Sequence, residues 1–195
     1  MKLGKKGIAA AAAAALATTV AFAPASKAAD SIPANPKIIV LGGALTDSFW
    51  NAVKAGVDAA TASIEKTGGT VEYMGPKDYS NFGPDMARLT QAALAQKPAA
   101  IASPNWISAS QSPEIAKVVK AGIPFFSYNT GPQQSAKDKA VGYVGSDEVE
   151  AGKAAGAAMV KAGAKNIACI NQTPGAQNLE TRCAGVKAAA AKAGD

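Results

Sequence analysis

From Lys37 onward, short unbroken apolar runs alternate with longer stretches in which apolar residues return every third or fourth position. Ile38-Ile39-Val40-Leu41 is the first run, and the absence of polar interruptions marks a strand covered on both faces. Gly42-Gly43 breaks it. Phe49, Val53, Val57, Ala60 and Ile64 then recur at helical spacing. They predict a helix from about Ser48 to Lys66, with Asp47 in the N-cap position and Gly68-Gly69 as its stop. The alternation continues with a strand at Thr70–Met74 and a helix from about Pro84 to Gln96. A strand at Ala99–Ser103, a helix at about Pro113–Ala121 and a strand at Pro124–Tyr128 come next. A strand at Ala140–Val144 leads into a helix at Glu148–Lys161, and a strand at Asn166–Asn171 into a helix at about Leu179–Ala193.

Strand and helix in strict alternation, with short connections, predict an α/β fold with a doubly wound parallel sheet. Such sheets hold ligands outside the carboxyl ends of their strands. That rule selects the loops Gly42–Asp47, Gly75–Gly83, Ser103–Gln111, Asn129–Gln134, Gly145–Asp147 and Gln172–Asn178. These loops and the adjoining helix starts carry Asp47, Phe49, Trp50, Asn105, Trp106, Asn129, Gln133, Gln134, Ser146, Gln177 and Asn178. Amides and carboxylates can pair with vicinal hydroxyls, and aromatic faces can cover the C–H side of a ring. As a set, they are the groups that hold a polyol.

The first residues have a different character. Lys2, Lys5 and Lys6 precede an apolar, mostly alanine run from Ile8 to Phe22, and Ser26-Lys27-Ala28 follows. Residues 1–28 read as a secretory signal peptide; cleavage after Ala25 and a retained anchor are the alternatives. No cysteine precedes Cys169, so a lipid attachment site is not expected, and the mature protein is expected to be soluble and periplasmic. Asp30–Pro36, with two prolines in seven residues, reads as a linker.

Removing the signal changes the charge. The chain carries +6, but four lysines and no acid lie in residues 1–28, which leaves 16 basic residues against 14 acidic. No basic stripe with interleaved aromatics remains, so nucleic-acid binding has no support. There is no histidine, so neither a Ser/His nor a Cys/His catalytic arrangement can form. Gly42-Gly43 lacks the remainder of a G-x-G-x-x-G loop. Neither an enzyme, nor a cofactor, nor a metal site is expected. Cys169 and Cys183 lie 14 positions apart and leave two readings open, a disulfide or two buried thiols.

The segments KIIVLGGALTDSFWNAVKAGVDAA, AAIASPN, AGIPFFSYNT and YVGSDEVEAGKAAG, in this order, resemble the periplasmic sugar-binding proteins of the ribose- and galactose-binding type. The resemblance runs from Lys37 to the chain end. It implies a two-lobe periplasmic-binding-protein fold that closes on a sugar or polyol and delivers it to the permease of an ABC importer, as a monomer. A periplasmic receptor for an autoinducer or attractant, feeding a signalling partner, is the alternative. The sugar-responsive repressors that share the fold carry DNA-binding helices where this chain has its signal. The lobes are expected at 37–140 and, in part, at 141–195, as in a C-terminally truncated precursor of poor stability. The resemblance assigns ligand contacts to Asp47, Phe49 and Trp50 in the first loop, and to Ser103 and Asn105 after the third strand. It adds Asn129 after the fourth, Ser146 near the hinge and Arg182 from the second lobe. The plainer roles are a helix cap for Asp47, packing for Phe49, a turn at Ser103–Asn105 and a solvated helix face for Arg182. Ribose-type proteins have an Asp-Arg pair where this chain has Asn129-Thr130, which puts a strict ribose or galactose specificity in doubt.

Overall fold

The computed structural model describes residues 34–192, and the signal reading of residues 1–28 lies outside them. Five strands form one parallel sheet: β1 (Lys37–Leu41), β2 (Thr70–Met74), β3 (Ala100–Ser103), β4 (Phe125–Tyr128) and β5 (Gly142–Val144). Their order is β2-β1-β3-β4-β5, so the expected parallel α/β architecture is present. Register is fixed by pairs such as Ile39 with Glu72 and Ile101 with Phe125. The connecting helices are α1 (Ser48–Glu65), α2 (Phe82–Ala95), α3 (Ser108–Lys120) and the short α4 (Pro132–Lys137). Two more helices, α5 (Glu148–Lys161) and α6 (Gln177–Lys192), follow the sheet and pack on each other.

The core lies between the sheet and its helices. Ile39, Leu41, Ile101 and Phe125 from the strands meet Met86, Ile115 and Val118 from α2 and α3. Each is essentially inaccessible to water, which stabilises the fold by about 1.5–3 kcal/mol per side chain. Trp50, Trp106 and Ala176 extend the same cluster to the carboxyl end of the sheet. The fold is thus continuous with the walls of the site.

α5 and α6 approach closely because glycines face each other. A Cβ on Gly152 would strike the Arg182 carbonyl oxygen, and one on Gly185 would strike the Val149 carbonyl oxygen. Helix starts are capped as the sequence suggests. The Asp47 carboxylate accepts from the Phe49 N–H at 2.9 Å, and Asp147 accepts from the Val149 and Glu150 N–H groups.

Four local readings differ from the structure. α3 starts at Ser108 rather than near Pro113, because the Gln111 side chain secures the entry. Its Oε1 accepts from the N–H groups of Trp106 and Ile107 at 2.9 Å each. Its Nε2 donates to the Pro104 carbonyl. α4, which the sequence reads as loop, is a short, mostly polar helix with Pro132 in its first turn and no apolar period to reveal it. Asn166–Asn171 forms no strand, because no strand among the described residues pairs with it, and Ile170 is 92% exposed. Finally, β5 lies in the sheet with β1–β4, so this sheet continues past position 140.

Candidate functional site

Gly43, just past β1, lies beneath the Trp50 indole, and a Cβ there would occupy the place of the ring. Trp50 is thereby turned toward the carboxyl end of the sheet, where a wall of aromatic rings forms. Phe49 meets Trp50 edge-on and Trp50 meets Trp106 edge-on, each with ring centroids 5.0 Å apart. Phe82 stacks on Trp106 at 5.0 Å and 30°, and Tyr79 packs edge-on against Phe82. These offset and edge contacts suit the ring quadrupoles and hold each ring through its neighbour.

Facing this wall are polar groups from several loops, around a cavity of about 280 Å³. Asp47 does more than cap α1, since its second carboxylate oxygen accepts from the Tyr79 hydroxyl at 3.1 Å. Burial, reinforced by the Asp47 charge, pushes the Tyr79 phenol up to about 12, so it stays a donor at neutral pH. Asn129 ends β4 with φ +52°, a left-handed conformation that asparagine tolerates better than most residues. There its Oδ1 accepts from the Trp106 indole N–H at 3.0 Å and from Asn178 Nδ2 at 3.4 Å. Asn178 is 7% exposed, and its Oδ1 has no partner among the described residues. The residue nevertheless belongs to the wall of the cavity, where its amide braces Asn129. Gln172, Thr173 and Arg182 complete the polar lining, with Ala176 and Leu179 between them.

The Arg182 guanidinium is anchored from outside the cavity. Its Nε donates to Glu148 Oε2 at 2.7 Å, and Nη2 lies 2.6 Å from the same oxygen. Glu148 Oε1 accepts from the Ser146 hydroxyl at 2.9 Å. Cys169 and Cys183 are joined in a disulfide with Cα atoms 5.7 Å apart. The bridge ties the segment leading to Gln172 and Thr173 onto α6 beside Arg182.

Of the residues expected from sequence, Asp47, Phe49, Trp50, Asn129 and Arg182 come together in this lining. Ser146 is displaced to an adjoining cavity that shares Phe49, Trp50, Asn129 and Arg182. Ser103 and Asn105 are not in the lining; both are fully buried beneath it. The Ser103 hydroxyl donates to the Pro104 carbonyl, and Asn105 Nδ2 donates to Asp138 and Ser112 at 2.8 and 2.9 Å. They brace the loop rather than reach the space above it. Sequence reasoning named Trp106 and Asn178 among the loop residues suited to a polyol, and did not assign Tyr79, Phe82, Gln172 or Thr173. The signal for Tyr79 and Phe82 was their position, aromatic residues in or beside a loop at the carboxyl end of the sheet.

Among the described residues, no group of three or more potential ligands could hold a metal ion. No helix among them is long and apolar enough to cross a membrane.

Solved structures with this fold include sugar-transport proteins. A carbohydrate transporter from Acidothermus cellulolyticus 11B, solved with myo-inositol, is 32% identical with a TM-score of 0.71, over 80% of this chain and 52% of that one. A periplasmic sugar-binding protein of an ABC sugar transporter from Legionella pneumophila is 24% identical with a TM-score of 0.73, over 82% of this chain and 58% of that one. An ABC transporter solute-binding protein from Burkholderia graminis C4D1M, solved with D-arabinose, is 22% identical with a TM-score of 0.71, over 84% and 55%. The last two show likeness of fold alone. This chain therefore spans about half the length of the structures it matches. No curated protein matches it. A family profile described as a periplasmic binding protein domain matches residues 38–195, which embraces the sheet, both terminal helices and every residue of the cavity, and the chain belongs to that family.

Proposed function

We propose that the cavity binds a sugar or polyol and that the protein delivers it, in the periplasm, to the permease of an ABC importer. The observation that carries this reading is the pairing of a five-ring aromatic wall with Asp47, Asn129, Asn178 and Arg182 around one cavity. The rings cover the C–H face of a saturated ring, and the amides, carboxylate and guanidinium take its hydroxyls. The myo-inositol bound by the 32%-identical Acidothermus protein supports this chemistry. The segment up to β5 supplies the aromatic wall, and the segment after β5 supplies Asn178 and Arg182 as part of a second lobe. Ligand contacts to both sides favour the closed arrangement by their differential binding energy. The role is binding rather than catalysis, with export on the signal in residues 1–28.

Thermal-shift measurements against myo-inositol, D-arabinose, D-galactose, D-glucose and linear polyols test this. At least one should raise the melting temperature, and Trp106→Ala should abolish the rise. A cooperatively folded protein that ignores every polyol in the panel would sink the reading.

A further inference from the structure

Arg182 is the only cation among the described residues that line the cavity, and a lone guanidinium, 44% exposed in its side chain, would ordinarily invite an anion. Its environment argues otherwise. Glu148 is 2% exposed in its side chain and engages both Nε and Nη2 through one oxygen. The other oxygen is held by Ser146. Glu148 opens α5, where free backbone N–H groups favour a carboxylate, so its charge has a fixed place. Withdrawing Arg182 toward an anionic ligand would strand a buried carboxylate without a counterion. Asp47, in the lining itself, adds a second carboxylate to that of Glu148 just outside it. The site thus presents two carboxylates against one guanidinium, which is already matched before any ligand arrives.

We propose that Glu148 is a specificity-determining positioning residue: by neutralising Arg182 it reserves the cavity for uncharged polyols and turns away their carboxylate and phosphate counterparts. This rests on the polyol-binding reading and narrows it. The pair is not needed to dock α5 on α6, because the glycine contacts at Gly152 and Gly185 already do so backbone to backbone. Arg182 keeps its second terminal amino group to donate to a neutral hydroxyl. An anion would meet Asp47 with no uncommitted cation to offset it.

Calorimetric titration of the full chain with matched pairs tests the proposal: D-galactose against D-galacturonate, and myo-inositol against myo-inositol 1-phosphate. The wild type should bind the neutral member at least about tenfold more tightly. Glu148→Gln keeps the side-chain shape and frees the guanidinium charge. It should shift the neutral-to-anion ratio toward the anion by about tenfold, an effect that fades at high salt. An anion bound as tightly as its neutral partner by the wild type would overturn the proposal. So would a Glu148→Gln protein that weakens both ligands equally. If Glu148→Gln does not fold, the double variant Glu148→Gln/Arg182→Gln decides. A ratio equal to that of the wild type supports neutralisation, and a further loss of anion binding refutes it. Failure of every neutral ligand would instead remove the polyol reading, and the proposal with it.

Discussion

Asn129 holds the site together through two separable properties, its backbone conformation and its side-chain oxygen. Asn129→Ala removes the acceptor for the Trp106 indole N–H, which lies 3.0 Å away on a residue 3% exposed. Leaving that buried donor unpaired costs about 1–3 kcal/mol. Alanine must also adopt φ near +52°, which costs about 1–2 kcal/mol more. Asn129→Gly loses the same acceptor but adopts the conformation freely, against an unfolded-state entropy of about 0.5–1 kcal/mol. The alanine variant should therefore be less stable than the glycine variant by about 1 kcal/mol, or roughly 2–4 °C in a chain of this size. Urea and thermal denaturation of the two variants measure the difference. Ligand titration should show equal losses for both, since each lacks the amide. An alanine variant that melts at or above the glycine variant would refute the assignment of strain at this position.

Asp138 is buried, and burial raises its pKa above the ordinary aspartate value despite hydrogen bonds from Asn105, Gln134 and Ser112. The folded state then binds more protons than the unfolded state, so this group's contribution to stability falls as pH rises through the interval above the usual value. Asp138→Asn should flatten that part of the stability–pH curve, and an unchanged slope in urea midpoints would count against it. Reducing the Cys169–Cys183 bridge opens a loop with a sequence separation of 14 and should cost about 3 kcal/mol, read as a fall in melting temperature with dithiothreitol that a Cys183→Ser variant does not show. Gly152→Val would push a side chain into the Arg182 carbonyl, so it should lower ligand affinity along with stability; unchanged affinity would mean that the α5–α6 contact does not position Arg182.

Much of the architecture was legible because buried strands announce themselves as unbroken apolar runs, as in Ile38–Leu41. The same rule misled at Asn166–Asn171, where the apolar residues are present but no pairing strand accompanies them among the described residues. A run shows that a strand could be buried; it does not show against what. α4 had no apolar period, and its six mostly polar residues read as loop. At the site, Asp47, Phe49, Trp50, Asn129 and Arg182 could be placed from loop position and resemblance. Ser103 and Asn105 shared the same loop logic, yet their side chains point inward to Pro104, Ser112 and Asp138. For Asn105 the inward face is set in part by a partner distant in sequence, Asp138. No local pattern encodes that choice. The Glu148–Arg182 pair was hidden for the same reason, because it joins two helices.

The strand order β2-β1-β3-β4-β5 has a consequence for how the protein is made. β2 and β3 add to the two sides of β1, and β4 and then β5 each dock on the strand that preceded them. The sheet can grow outward while the chain is emerging from its amino end, with no strand waiting on a distant later partner among the described residues. α6 follows all five strands, and it walls the cavity: Leu179 packs on the core, and the Gln177 N–H bonds to the Trp106 carbonyl at 2.8 Å. A nascent chain can thus form this sheet before Asn178 and Arg182 reach the cavity.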